Sequence, residues 1–281
     1  MLKIDMQPIA ALPMYDWPEV RDEVDQQWRQ IRDKFRSLGI NAPDMLVRSH
    51  KELPGAPDGI LDTEGKVIAA DPATLYSEGL DPRAIWMHPA LLFAQTCWGP
   101  MHHGLAKHVK TISQPNYGEF EGGNGEFYSS AIVMRAGEAP WGKAPSNGRA
   151  SIPLEFLRDR RFTFNDPHSM SGLLGLVQDL EAMGETLEIF SERIPSGGHR
   201  ESIKAIAAGH SDVAAIDCKS FALAQQFEPA AKDVTVVGWT SQRKGLPFIT
   251  SRHTSDEIVL AMRTALETLP GMVGAREMRP Q

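Results

Sequence analysis

Cysteine is scarce in this chain: Cys97 and Cys218 are the two in 281 residues, and they share no metal-type spacing. Two thiols so far apart are expected to be buried small hydrophobes and not a disulfide framework or a zinc site. Long apolar runs are missing too. No window approaches the roughly 18 uninterrupted apolar residues of a membrane helix, so no spanning segment is expected. Nor is there a basic excess: 29 Lys and Arg stand against 36 Asp and Glu, a net charge of −7. That balance disfavours a nucleic-acid partner, because phosphate backbones are bound mainly by Lys and Arg. The opening Met1-Leu2-Lys3-Ile4-Asp5-Met6 carries an acid where a secretory signal needs roughly 7–15 apolar residues. As written the chain has no export signal. It is expected in the cytoplasm if complete, and in the periplasm if a signal peptide has been removed.

Several chemical signatures are also absent. There is no Gly-x-x-x-x-Gly-Lys phosphate loop, and Ser171 lies in Ser-Met-Ser-Gly, not in a Gly-x-Ser-x-Gly nucleophile elbow. His102, His103 and His108 have no carboxylate or Cys at ligand spacing and are expected at the surface. Nothing calls for a metal or a cofactor.

What is present reads as an ordinary folded protein, 42% hydrophobic and 23% charged, with length for one large domain or two modest lobes. The segment 9–14 is expected to be a buried strand. Val20, Val24, Trp28, Ile31, Phe35 and Leu38 then recur every three or four residues, an amphipathic helix over 18–38 with Pro18 at its start and Gly39 past its end. Strands are expected at 45–48, 91–97, 128–134, 162–164, 187–190, 213–216, 234–237 and 246–249. Helices are expected at 170–183, 199–208, 220–226 and 255–269. The Gly- and Pro-rich stretches 51–82 and 136–150 read as a surface excursion and a loop. Strands alternating with helices imply an α/β fold with mixed, mostly parallel sheets and helices on both faces.

Two loop-to-helix junctions can carry chemistry. In Asn165-Asp166-Pro167-His168-Ser169-Met170-Ser171-Gly172, Ser169 is a natural helix N-cap. The amides of Met170, Ser171 and Gly172 would then point out of the helix start. With the positive end of the helix dipole behind them, amides and hydroxyls suit a tetrahedral anion; an ordinary capped helix explains the same residues. In Pro195-Ser196-Gly197-Gly198-His199, glycines again enter a helix. His199 could donate to an anion in the same crevice, most strongly when charged near pH 6.5, or it could be a cap or surface residue. Asp217 ends a strand, the place where α/β sheets present ligand groups.

At these junctions the sequence resembles the phosphate/phosphite/phosphonate substrate-binding proteins of ABC transporters. The matching pieces are Leu12-Pro13-Met14-Tyr15-Asp16, Leu92 through Cys97, Tyr128 through Val133, Asp166 through Gly172, Gly198 through Ile203, and Gly209 through Asp217, in the family's order. The resemblance implies a type II periplasmic-binding fold with lobe 1 at 1–118 and 247–281, an inserted lobe 2 at 119–246, and the ligand in a cleft between them. It implies that Ser169, Met170, Ser171 and Gly172 grip the oxygens of a small oxyanion, joined by His199, Tyr128 and, from the other lobe, Tyr15. The implied partners are a small anionic ligand and a transporter permease, with no covalent chemistry. Two rivals share the fold: an enzyme in which His199 or Asp217 does acid–base work, and a cytoplasmic ligand sensor.

Overall fold

The computed structural model describes residues 6–62, 64–74, 80–139 and 141–272. The opening segment 1–5, parts of the 51–82 excursion and Pro140 of the 136–150 loop lie outside the described residues. The chain divides into two compact units, one built from Met1–Pro115 with Leu246–Gln281 and the other from Asn116–Gly245.

In chain order the first unit contains β1 (Ile9–Ala11), α1 (Arg21–Ser37), the hairpin β2 (Ile60–Leu61) and β3 (Val67–Ala69), α2 (Pro82–Trp86), β4 (Leu91–Gln95), α3 (Trp98–His102) and β5 (Val109–Ser113). The second unit follows with β6 (Gly123–Asn124), β7 (Phe127–Tyr128), β8 (Ser130–Arg135), α4 (Leu154–Leu157) and β9 (Arg161–Phe164). It continues through α5 (Gly175–Ala182), β10 (Glu192–Pro195), α6 (His199–Ala207), β11 (Val213–Asp217), α7 (Cys218–Phe227), β12 (Val234–Trp239) and β13 (Arg243–Lys244). The chain then returns to the first unit with β14 (Phe248–Ser251) and α8 (Asp256–Glu267).

The sheet of the first unit runs β1-β4-β14-β5, and its two faces are sorted by strand alternation. Ala10, Leu12 and Phe93 face Trp28, Ile31 and Phe35 of α1 and Met262 and Leu266 of α8. Phe93 stacks on both Trp28 and Phe248, with centroids 5.9 and 5.1 Å apart. Ile9, Ala11 and Leu91 face the other way, onto Ile85, Trp86, Met101 and the start of the excursion. The helix at 18–38 is present as α1 preceded by a single 3-10 turn at Pro18–Val20.

Several expectations need correction. Residues 45–48 are not a strand. Val47 N makes one bond to Ala10 O (2.8 Å), and then Glu52 takes the amides of Arg48 and Ser49 into a capping box while the Arg48 guanidinium turns to Asp16 and Asp25. The excursion is not wholly at the surface, since Leu53, Ala56 and Ile60 are buried in the core. Leu187–Ile189 form a 3-10 turn capped by Thr186, with Phe190 extended after it; the strand comes later, at β10, which is mostly exposed and has a single apolar side chain of strand type, Ile194. Tyr128 sits in β7 of a small three-stranded sheet, apart from β8. The two larger sheets are mixed, but antiparallel pairings are four of their seven, because β8, β12 and β14 run against their neighbours.

Cys97 and Cys218 are buried thiols, not joined in a disulfide. Among the described residues no helix is long and apolar enough to cross a membrane.

Two buried histidines hold the excursion to the first unit. His50 Nε2 accepts from the Asp81 amide at 3.0 Å, closing a span of 31 residues. His88 Nε2 lies 2.9 Å from the Pro54 carbonyl while its Nδ1 accepts from Ala90 N, so that ring is neutral with its proton on Nε2. Burial pushes the His88 pKa below its ordinary value, although the Pro54 carbonyl and Asp71 oppose the shift. An unfolded histidine titrates near 6.5, so the stability contributed by neutral His88 is complete above that pH and is lost as pH falls below it. The melting temperature should therefore drop between pH 7.5 and pH 5. His88→Ala should cost about 1–3 kcal/mol at pH 7.5, from the Pro54 and Ala90 groups left unpaired, and should show a smaller acid drop. Equal acid sensitivity in the two proteins would contradict this account.

Candidate functional site

The site is built on the second unit's five-stranded sheet, ordered β10-β9-β11-β8-β12. β10, β9 and β11 are parallel, so β9 and β10 end at the same edge, with Pro195 paired to Phe164. Past that pair the two junctions are tied together by backbone bonds. Ser196 N donates to Phe164 O at 2.8 Å, and Gly197 N to Asn165 O at 3.1 Å. Gly197 makes this turn with φ +87°, a conformation glycine adopts without strain. The Ser196 hydroxyl donates to the carbonyls of Phe164 and Gly198 and lies 2.7 Å from Ser202 Oγ, fixing the entry into α6. The chain therefore delivers both helix starts to one place.

The first junction opens with an Asx turn, His168 N to Asp166 Oδ1 at 2.7 Å, and Ser169 N to Asp166 O. Ser169 is the N-cap, its Oγ accepting from Gly172 N at 3.1 Å. The first turn that follows, Met170–Leu174, is a π turn and not the plain α-helix expected over 170–183. Ser169 O accepts from both Leu173 N and Leu174 N, at 3.2 and 3.0 Å. Turns of this kind are concentrated at functional sites. Behind it Arg243 of β13 clamps α5: its guanidinium donates to Gly175 O (2.8 Å) and pairs with the buried Asp179 carboxylate (2.7 Å), which also accepts from Ser241 N.

Four of the expected residues come together here. Ser169 and Ser171 are buried with their hydroxyl oxygens 3.4 Å apart, and Ser171 Oγ lies 2.9 Å from His199 Nε2. Gly172 completes the turn. Among the described residues nothing accepts from the Ser171 amide, and His199 Nδ1 is buried without a partner. The Met170 side chain is buried apolar packing, so its place in the site is that of its main chain.

The others stand differently. Tyr128 is buried in the second unit against Tyr117, ring centroids 5.5 Å apart. Tyr15 is buried in the loop after β1 of the first unit. The Asp217 carboxylate caps α7, accepting from Ser220 N at 2.9 Å. His102 and His103 are exposed and His108 half-buried, and no group of three or more His, Cys, Asp or Glu among the described residues is placed to hold a metal.

Asn165 is the residue that sequence reasoning missed: its Nδ2 lies 3.4 Å from His199 Nε2. Its one sequence signal is its place, a single residue past the end of β9. A Cβ on Gly172 would collide with Asn165 Oδ1, so glycine there makes room for the amide.

The electrostatics correct one expectation. Burial pushes the His199 pKa down to about 4, so the ring is neutral near pH 6.5 and not a charged donor there. An NMR titration of the free protein should find its midpoint near pH 4; an ordinary midpoint near about 6.5 would overturn this. Ser169→Ala, by removing the cap, should cost about 1 kcal/mol in the same protein, read from its unfolding.

Known proteins resemble this chain in family and fold. The family model described as "ABC transporter, phosphonate, periplasmic substrate-binding protein" matches residues 106–277. PhnD1 from Prochlorococcus marinus, solved in complex with methylphosphonate, superposes with a TM-score of 0.60 at 13% identity, covering 94% of this chain and 85% of that one. A Xanthomonas citri protein solved bound to ATP gives 0.57 at 11% identity, covering 97% and 91%. A binding-protein component of an ABC phosphonate transporter from Pseudomonas aeruginosa gives 0.52 at 14% identity, covering 92% and 74%. At these identities the structures establish a shared periplasmic-binding-protein fold. No curated protein sequence matches significantly.

Proposed function

The chain belongs to the periplasmic substrate-binding proteins of phosphonate ABC transporters, and from that premise we propose that the paired helix starts of its second unit hold the tetrahedral head of a small phosphonate or a similar oxyanion for delivery to a permease. The observation that carries this reading is the pair of donors without protein acceptors, the Ser171 amide and the buried His199 Nδ1. A buried N–H is normally paired, and an anion at a helix start supplies the missing acceptor. The Ser169 hydroxyl, whose oxygen already accepts from Gly172 N, keeps its proton for the ligand. No charge is required of His199.

The enzyme reading is less well supported. Acid–base work by His199 needs a group that orients or relays through Nδ1, and Nδ1 has none. Asp217, the other candidate, has its carboxylate on the α7 cap. We assign both residues to binding and structure, and assign the working compartment to the periplasm on the family's description.

Calorimetry and thermal shift with methylphosphonate, phosphite, phosphate and sulfate test the proposal. A ligand at about 100 times its Kd stabilises by roughly 2.7 kcal/mol, a rise of about 5–10 °C for a chain of this size. Ser169→Ala and His199→Ala should each weaken the best ligand by about 10- to 100-fold, the loss of one hydrogen bond to a charged group. Because His199 stays neutral, affinity between about pH 5.5 and 8 should follow the ligand's own ionisation alone, in wild type and in His199→Gln alike. A flat response to all four anions would end this reading.

A further inference from the structure

A neutral histidine has one N–H and one lone pair, and its neighbours decide which nitrogen carries which. His199 Nε2 lies 2.9 Å from Ser171 Oγ and 3.4 Å from Asn165 Nδ2. A hydroxyl serves such a nitrogen as donor or acceptor. An amide NH2 donates and cannot accept. With Nδ2 facing it, Nε2 is the lone-pair nitrogen, and Ser171 donates its hydroxyl proton to the same atom. The ring proton then sits on Nδ1, the buried nitrogen with no partner.

We infer that Asn165 is a positioning residue: together with Ser171 it holds His199 as the Nδ1–H tautomer, so that the ring meets a ligand with a donor and not with a lone pair. The inference rests on the anion-binding reading for what Nδ1–H is used for, but not for the tautomer itself. The local geometry supports it at two points. The Asn165 backbone is tied to the second junction through the bond from Gly197 N. Its side chain lies over the helix start, with Oδ1 in the space that a Cβ on residue 172 would need. The reverse amide orientation would put Oδ1 against Nε2, require the proton there, and leave Nδ1 a bare lone pair that repels an anion.

The consequence for recognition is a division of labour between the serines. The Ser169 hydroxyl donates to the ligand. The Ser171 hydroxyl proton is committed to the imidazole, so Ser171 reaches the ligand through its amide.

The test is a long-range 1H–15N correlation spectrum of the full chain with 15N-labelled histidine, ligand-free at pH 7. His199 should appear as the Nδ1–H tautomer. Asn165→Ala should raise the Nε2–H fraction, and Asn165→Asp, which replaces the donor by an acceptor, should move the proton to Nε2. Gly172→Ala should reproduce the Asn165→Ala spectrum with Asn165 still present, because the new methyl displaces the amide. Methylphosphonate affinity by calorimetry should fall by about 3- to 10-fold in Asn165→Ala, with the unliganded melting temperature little changed. Wild-type His199 found as Nε2–H, or a tautomer that neither Asn165→Ala nor Gly172→Ala moves, would overturn the inference. If the tautomer behaves as expected but methylphosphonate, phosphite and phosphate all fail to bind, the positioning role stands and the anion-binding reading falls.

Discussion

Two backbone hydrogen bonds decide where everything else in the second unit can act: Ser196 N to Phe164 O, and Gly197 N to Asn165 O. They extend the parallel pairing of β9 and β10 by one step past the sheet edge and thereby fasten two helix starts side by side. Each helix start alone is a common feature with an ordinary structural use. Joined, they put Ser169, Ser171, Asn165 and His199 within one hydrogen-bonded group. Closeness of this kind cannot be made by side chains alone, because a lone serine or histidine on a free loop would turn its polar atoms to water. Here the main chain is already committed, and the donors are left buried and waiting for an acceptor.

The group carries no net charge of its own. Arg200, next to His199 in sequence, turns away to Glu228 at 2.7 Å, and Arg243 is taken by Asp179 and Gly175 O behind the π turn. Both cations thus serve the scaffold. On the proposed reading, neutral donors aligned with helix dipoles hold an anion through directed hydrogen bonds, so shape and donor placement govern which oxyanion fits more than attraction at a distance does. The family membership points to the same class of ligand by a separate kind of observation.

Much of the fold and part of the site are legible in the sequence. Elements with a strong apolar period stand where expected: α1 from Trp28, Ile31 and Phe35, α8 from Val259, Met262 and Leu266, and β11 from its unbroken apolar run. The Ser169 cap is legible because serine ahead of an apolar helix has a local physical reason. Failures come where tertiary contacts override local pattern. Leu187, Ile189 and Phe190 look like a strand because they are apolar, but they are apolar in order to pack a 3-10 turn onto the core. The true edge strand, β10, is mostly exposed and has Ile194 as its single apolar side chain of strand type, so little in its composition announces it. Strand direction is misleading because helices between strands suggest parallel crossovers, while β8, β12 and β14 reach antiparallel places by other routes. Asn165 escapes notice because its importance lies in a contact with residue 199, 34 positions away. The charge state of His199 depends on burial, which composition does not report.

The position of β14 has a consequence for how the molecule is made. In the first unit's sheet β14 lies between β4 and β5, hydrogen-bonded to both, and it is the last strand among the described residues. Residues 9–113 therefore emerge from a ribosome with two strands that cannot pair with each other, and their central partner is still 135 or more residues from being synthesised, as the interval from Ser113 to Phe248 shows. The second unit, continuous from Asn116 to Gly245, can complete its sheet during that wait. Contacts so distant in sequence form slowly and late. The nascent first unit accordingly spends synthesis as an open template with the β4 and β5 edges that β14 will join still unpaired, the stage at which a chaperone would most easily capture the chain.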